Sequence, residues 1–317
     1  MARESTHARR AVLVVAGVVI LQALLVTWFA WPSKNLAPRD LPIVVAGPAP
    51  AVAGVVDRLR TERPGAFQVG TVADSSAADA ALRNRTAYAA IVIDRSGPSL
   101  HVASAASPTV ATLLAQATGE LGNGQPVPVV DVVPSPSADP RGAAFAASFL
   151  PLLITSLACG AALLFVVGSH LTRLVAVLGF GIVAGLATAA AMHGLGVITG
   201  SYPLSAGVIA LVTVAISGTV TGLGAVLGPA GIGIGALLVV FFGNPISGLT
   251  GAPELLPKPW GTVGQLLPPG AGATLLRSTA FFDGAGAARP LWVLAAWSVA
   301  GLGLTLVGHY RDAGRTG

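Results

Sequence analysis

Long apolar runs alternate with one interval of mixed character. The first run, "AVLVVAGVVILQALLVTWFAW", covers residues 11 to 31 without a charge. Five more lie at residues 144 to 168, 172 to 192, 204 to 227, 231 to 248 and 290 to 308. Each is close to the roughly 20 apolar residues that one helix needs to cross a bilayer. The pattern predicts a polytopic α-helical membrane protein with six transmembrane helices and an α/β extracytoplasmic domain inserted between the first and second.

Residues 32 to 143 form the inserted domain and its linker. "PIVVAG", "FQVGTV", "YAAIVI", "LHVASA" and "VPVVDVV" read as strands. "AVAGVVDRLRTE", "SSAADAALRNR" and "PTVATLLAQATGEL" read as helices, the second starting on a serine ahead of an acidic first turn. Strands alternating with helices predict a small mixed sheet with helices packed on it. "VVAG", "FQVGTV" and "AAIVI" are continuously apolar, as buried strands are.

A third kind of pattern lies between the fifth and sixth runs. "GNPISGLTGAPELLPKPWGTVGQLLPPGAG", residues 243 to 272, is apolar but punctured by proline and glycine. Peptide groups that leave a helix cannot face lipid unsatisfied, so such a segment must be covered by protein or line a wet cavity. Residues 249 to 288 are expected to form an extracytoplasmic re-entrant or interfacial segment at the outer mouth of the bundle, with Trp260 and the prolines at the interface. "ATLLRSTAFF" is expected to form a short helix along the membrane surface, and the segment reads as either a structural plug or a cargo gate.

Composition agrees with these runs: the chain is 53% hydrophobic and 10% charged. Between Arg141 and Glu254 the only formal charge is Arg173. The net charge is +5, yet residues 34 to 141 hold nine basic and nine acidic residues and are neutral. The excess sits beside the runs, at Arg3, Arg9 and Arg10 with Glu4, at Arg173, and at Arg311 and Arg315 with Asp312. Positive charge beside spans marks the cytoplasmic side, so the basic balance reports topology and not a nucleic-acid partner. Residues 1 to 10 and 309 to 317 are placed in the cytoplasm, and residues 32 to 143 outside. The run at 11 to 31 is longer than the core of a signal peptide and reads as an uncleaved anchor. The alanine, glycine and valine bias suits a bacterial plasma membrane protein of high-GC origin.

Candidate chemistry is sparse. Cys159, the single cysteine, reads as a small buried hydrophobe, and no disulfide or cysteine-based zinc site follows. Lys34 precedes asparagine and Lys258 precedes proline, so no phosphate loop exists and any ATPase is a separate chain. No G-x-S-x-G occurs, and Ser148, Ser156 and Ser217 lack a base. No Asp or Glu falls in the six spans, which argues against ion coupling. His101 reads as a surface or edge residue, and His170, His193 and His309 as boundary anchors. No catalytic residue, cofactor or metal is expected, and the chain does not read as an enzyme. Glycines spaced four apart, Gly181 with Gly185, Gly218 with Gly222, Gly224 with Gly228 and Gly231 with Gly235, predict close helix packing within one bundle.

The order of one anchor, an outer α/β domain and five spans, with "FFGNPISGLTGAPELLPKPWGTVGQLLPPGAGATLLRSTAFFDGAGAARPLWVLAAW", resembles the permease side of the ABC type 2 exporter superfamily. The branch it is most similar to contains the bacterial phage infection protein. The resemblance implies a half-transporter, paired as a homodimer or heterodimer in membrane lipid, moving a hydrophobic or amphipathic compound with a separate cytoplasmic ATPase subunit. It marks Gly243, Asn244, Pro245, Pro257, Trp260, Pro268, Pro269, Gly270, Arg277 and Asp283 as framework or gate candidates, beside Pro253, Phe282 and Gly284. The inner loops "SHLTR" and "GPAG" depart from it by offering an ATPase little to push on. The other expectation is a non-transporting envelope scaffold or receptor whose outer domain binds a protein or cell-wall partner.

Overall fold

The computed structural model describes residues 2 to 121 and 127 to 313, so part of the predicted tail, including Arg315, lies outside the described residues. Two compact units divide at Leu36. The first is helix α1 (Ala2–Lys34), whose apolar side chains from Val12 to Val26 are mostly exposed around its circumference. Such a helix finds no core of its own and needs an apolar solvent.

The second unit, residues 37 to 317, opens with the mixed sheet. Its elements are β1 (Leu41–Ala46), α2 (Ala49–Glu62), β2 (Phe67–Val72), α3 (Ser75–Arg83), β3 (Ala89–Asp94), β4 (Gly97–Val102), α4 (Pro108–Leu121) and β5 (Val129–Asp131). The order is β2-β1-β3-β4-β5. All neighbours are parallel except β3 and β4, which form a hairpin. β1 and β3 carry the core through Leu41, Val45, Ala46 and Ala90.

Three local expectations are corrected. "FQVGTV" is not buried, because β2 is an edge strand with no buried residue. The cap of α3 is Asp74 and not Ser75: its Oδ1 accepts from the Ala77 N–H at 2.8 Å, the usual remedy for an orphan amide at a helix start. His101 is buried in β4 and not a surface residue, with Nδ1 2.6 Å from Asp79 Oδ1 on α3.

The remaining helices are α5 (Ala143–Val166), α6 (His170–Gly194), α7 (Tyr202–Leu227), α8 (Pro229–Ala236), α9 (Trp260–Gly264), α10 (Pro268–Phe281) and α11 (Ala288–Ala313). Among the described residues, five stretches are long and apolar enough to cross a membrane: Arg9–Lys34, Ala143–Val166, His170–Gly194, Tyr202–Leu227 and Ala288–Gly308. The run expected to span at residues 231 to 248 differs. It is α8, eight residues, followed by a seven-residue π-helical turn, Leu237–Gly243. At 1.5 Å per residue those fifteen reach roughly 22 Å, short of the ~30 Å hydrocarbon core.

Helix α7 runs through the middle and is buried along most of its length. Glycine lets its neighbours approach. A Cβ on Gly185 would stand 2.5 Å from the Ala206 carbonyl oxygen, and one on Gly222 would stand 2.2 Å from the Gly301 oxygen of α11. On Gly160 of α5 it would meet Ser217 O at 2.7 Å. Gly231 and Gly235 fold α8 back on α7 in the same way, meeting Leu223 and Val220. Gly228, of the predicted pair with Gly224, has open space at its Cβ position.

Gly222→Leu should therefore abolish a monodisperse folded peak in detergent chromatography, since overpacking at a backbone contact costs about 1–3 kcal/mol or more. Gly207, with nothing within 4 Å of its Cβ position, should tolerate alanine with an unchanged melting midpoint.

Candidate functional site

The segment from Gly243 to Gly272 folds against itself. A Cβ on Gly264 would lie 1.7 Å from Ile246 O, on Gly261 2.0 Å from Pro253 O, and on Gly270 2.3 Å from Gly264 O. Glycine is required because backbone rests on backbone. Side-chain amides complete the network: Gln265 Nε2 donates to Ser247 O at 2.9 Å, and Thr274 Oγ1 donates to Gln265 Oε1 at 2.7 Å.

Pro268 and Pro269 occupy the first turn of α10, where a missing N–H costs nothing and the fixed φ suits the helix. Eleven of the fourteen residues of α10 are buried. The helix expected to lie along a surface is instead packed against α7 and α11. Its small residues explain this: Gly272 fits against Val212, where a Cβ would stand 2.7 Å from a methyl group.

The sheet is docked on this buried segment. Ala37 and Arg39 donate their N–H groups to Leu255 O at 3.0 Å and Glu254 O at 2.9 Å. Lys258 pairs with Asp40, and Thr109 Oγ1 donates to Thr250 O at 2.7 Å. Phe282, just past α10, is a member of the sheet's own core with Ala46, Leu82 and Val92.

A cavity of about 290 Å³ lies along this junction. The sheet contributes Arg85 and Tyr88, the broken segment Glu254, Gln265, Thr274 and Arg277, and the start of α11 Arg289. Arg85 takes a left-handed conformation, φ 56°, that costs a non-glycine residue on the order of 1 kcal/mol. The turn aims its guanidinium at α10, where Nη1 donates to Thr274 O at 3.0 Å and to Ser278 Oγ, and the group stacks 5.2 Å from the Phe282 ring. Burial pushes its pKa below the ordinary arginine value. Tyr88 donates its hydroxyl to Glu254 Oε2 at 2.9 Å. Burial and then the Glu254 charge push the phenol pKa up, so Tyr88 remains a donor at neutral pH. Arg277 Nη2 donates to Leu249 O at 2.7 Å, and its guanidinium lies 4.6 Å from the Phe145 ring. Phe145 is itself fixed by Asp139, whose two oxygens accept from Ala144 N and Phe145 N at 3.1 and 2.8 Å.

The sequence-predicted positions divide. Gly243 packs on the Pro269 ring, Gly270 packs on the Gly264 carbonyl, and Pro268 is buried at the start of α10. Asn244 ends the π-helical turn, and its carbonyl accepts from Ser247 Oγ at 2.7 Å, while Pro245 is half-buried. Pro257 O accepts from Trp260 N at 2.8 Å to start α9. Asp283 is exposed in a left-handed turn, φ 50°. Of the framework candidates, Arg277 and Pro253 border the cavity. Sequence reasoning missed Arg85, Tyr88, Glu254 and Arg289. One signal was present for Arg289: an arginine at the outer end of the last predicted span runs against the positive-inside tendency. No family model, curated protein or solved structure matches the chain.

Tyr88→Phe removes the donor to Glu254 and should lower stability by about 1–3 kcal/mol, the cost of a half-buried carboxylate left without its partner. The melting midpoint in detergent checks this, and Glu254→Gln combined with Tyr88→Phe should recover part of the loss.

Proposed function

We propose that this chain is a permease-like protein of a bacterial plasma membrane, in the class of ABC type 2 exporters. It moves a hydrophobic or amphipathic compound as a homodimer or heterodimer with a separate ATPase subunit. The observation that carries this reading is the polar cavity of about 290 Å³, set between the mixed sheet and the broken segment at the start of a span. It gives a docking point for a polar end beside helices whose apolar surfaces stay exposed. On α5, α6 and α11, Ile154, Phe165, Val175, Val183, Trp292 and Val299 are exposed, as residues facing lipid are. The five spans contain no Asp or Glu, which favours an amphipathic cargo over an ion.

In this reading Pro229–Gly243 is a sixth passage, shorter than the others because α7 and the buried segment cover its end. The passages then alternate to leave both termini in the cytoplasm and the sheet, the broken segment and Arg289 outside. Residues 249 to 288 form a re-entrant wedge that gates or plugs the outer mouth.

A second reading rests on the turns at the opposite end. Three residues, 167 to 169, join α5 to α6, and Gly228 alone joins α7 to α8. Arg173 closes the first of these by donating Nε to Val167 O at 2.6 Å. Such tight ends favour a non-transporting envelope scaffold or receptor whose outer domain binds a protein or cell-wall partner.

Sidedness and coupling test these readings in turn. In a Cys159→Ser background, Ser96→Cys should react with an impermeant maleimide on intact cells, while tags at residues 1 and 317 stay protected; the reverse pattern overturns the topology. Inverted vesicles should accumulate a fluorescent phospholipid only with ATP and a co-purifying ATPase. Equal accumulation by vesicles without the protein overturns transport in favour of the scaffold.

A further inference from the structure

The cavity between sheet and wedge is out of electrical balance. Its formal charges are Arg85, Arg277 and Arg289 against Glu254, three positive and one negative, a net of +2. The Glu254 carboxylate is held by Tyr88. Among the described residues none of the three guanidinium groups forms an ion pair with a carboxylate.

Arg277 makes the imbalance acute, because the residue is only 6% exposed. A guanidinium carries five N–H donors, and one of them meets Leu249 O. The others have no protein acceptor among the described residues, and the side chain borders the cavity. Arg289 is exposed, and its side chain makes no hydrogen bond or ion pair among the described residues. Asp139 lies within electrostatic reach of Arg277, but its two oxygens are engaged by the Ala144 and Phe145 N–H groups; a buried cation without a directly paired counter-charge is costly, and an anion entering the cavity would supply one.

Three arginines bordering one small space select the anion. A carboxylate offers two oxygens, whereas a phosphate offers three or four in the geometry that guanidinium forks match. Size limits what enters. A volume of about 290 Å³ stands at the lower edge of ligand pockets and accommodates a headgroup, not a drug-sized body. Next to Arg289, Leu291 and Trp292 are 45% and 74% exposed at the beginning of a span. A tryptophan there suits the headgroup level of a bilayer, and the exposed helix offers an apolar surface.

We propose that this cavity binds the phosphate group of an anionic amphiphile, with Arg277 and Arg289 as its principal ligands and the hydrocarbon left against α11. Arg85 contributes charge while it ties the sheet to α10. The inference rests on reading the cavity as the docking point of the proposed permease and names the chemistry it takes there.

The test uses the full chain in dodecyl maltoside micelles, titrated with dioleoyl phosphatidylglycerol, dioleoyl phosphatidylcholine or inorganic phosphate. Binding is read by native mass spectrometry and by the rise in melting midpoint. Phosphatidylglycerol should bind at least about ten-fold more tightly than phosphatidylcholine, because the choline cation opposes the site charge. Stabilisation by phosphatidylglycerol alone identifies a lipid source, and stabilisation by inorganic phosphate identifies a soluble phosphate group as sufficient. Arg289→Gln, an exposed change that leaves the fold intact, should weaken phosphatidylglycerol about ten-fold. Glu254→Gln should strengthen it several-fold, the opposite of what damage to the structure would do. Equal affinity for the two lipids with no effect of phosphate, or unchanged phosphatidylglycerol affinity in both variants, overturns the proposal. Retained binding without ATP-driven movement in vesicles faults the transport reading alone.

Discussion

Peptide groups outside regular helices must find partners, and the segment from Gly243 to Gly272 meets that demand from within the chain. Its glycines bring one stretch of backbone within contact of another, as at Gly264 and Ile246. Ser247 Oγ donates to Asn244 O and Gln265 Nε2 to Ser247 O, while Thr274 Oγ1 holds the Gln265 side chain in place. Arg277 reaches back to Leu249 O from the following helix. The segment thus buries much of its backbone against the protein and leaves the rest beside the cavity, the two conditions under which broken backbone survives among apolar helices.

That arrangement explains the central position of α7. One face of it receives α6 through Gly185, another receives α11 through Gly222 and Gly301, and α5 approaches through Gly160. Helices surrounded by apolar solvent gain little from hydrophobic association, so close contact supplies the attraction. The sheet is joined to the same frame by backbone hydrogen bonds at Ala37 and Arg39 and by Phe282, which leaves α10 to complete the sheet's core. Phe282 couples the two: a shift of α10 along its axis would open a hole among Ala46, Leu82 and Val92. A cavity lined by both parts is sensitive to any relative movement between them.

Periodicity along the chain revealed most of the architecture. "FQVGTV" and "PTVATLLAQATGEL" coincide with β2 and α4, since short-range alternation and helical spacing act locally. The edge position of β2 was hidden, because strand order depends on pairing between distant residues and apolar content alone does not report it. The length of the α8 passage was hidden for a related reason: an apolar run of 18 residues looks continuous, although Gly243 and Pro245 turn it aside at Asn244. The cavity was legible at Arg277 and at Pro253 beside Glu254. Arg85, Glu254 and Arg289 lie far apart in sequence, in a loop, a broken segment and a helix start, and meet only through tertiary docking.

The cavity also sets stability against function. A core built only to hold the sheet on the wedge would place an acid beside each buried arginine or replace the arginine with an apolar side chain, since an unpaired buried charge lowers stability. At Arg277 the chain keeps the arginine and forms no ion pair with it: the acid within reach of its charge, Asp139, is bonded to backbone N–H groups. It keeps the guanidinium under the Phe145 ring, commits Asp139 to the Ala144 and Phe145 N–H groups at the start of α5, and gives the cavity's own carboxylate, Glu254, to Tyr88. Arg85 adds a second cation at the expense of a left-handed backbone. Residues that oppose the local rules of packing and conformation at one place, while the surrounding glycines and small side chains obey them, mark that place as shaped for something other than folding.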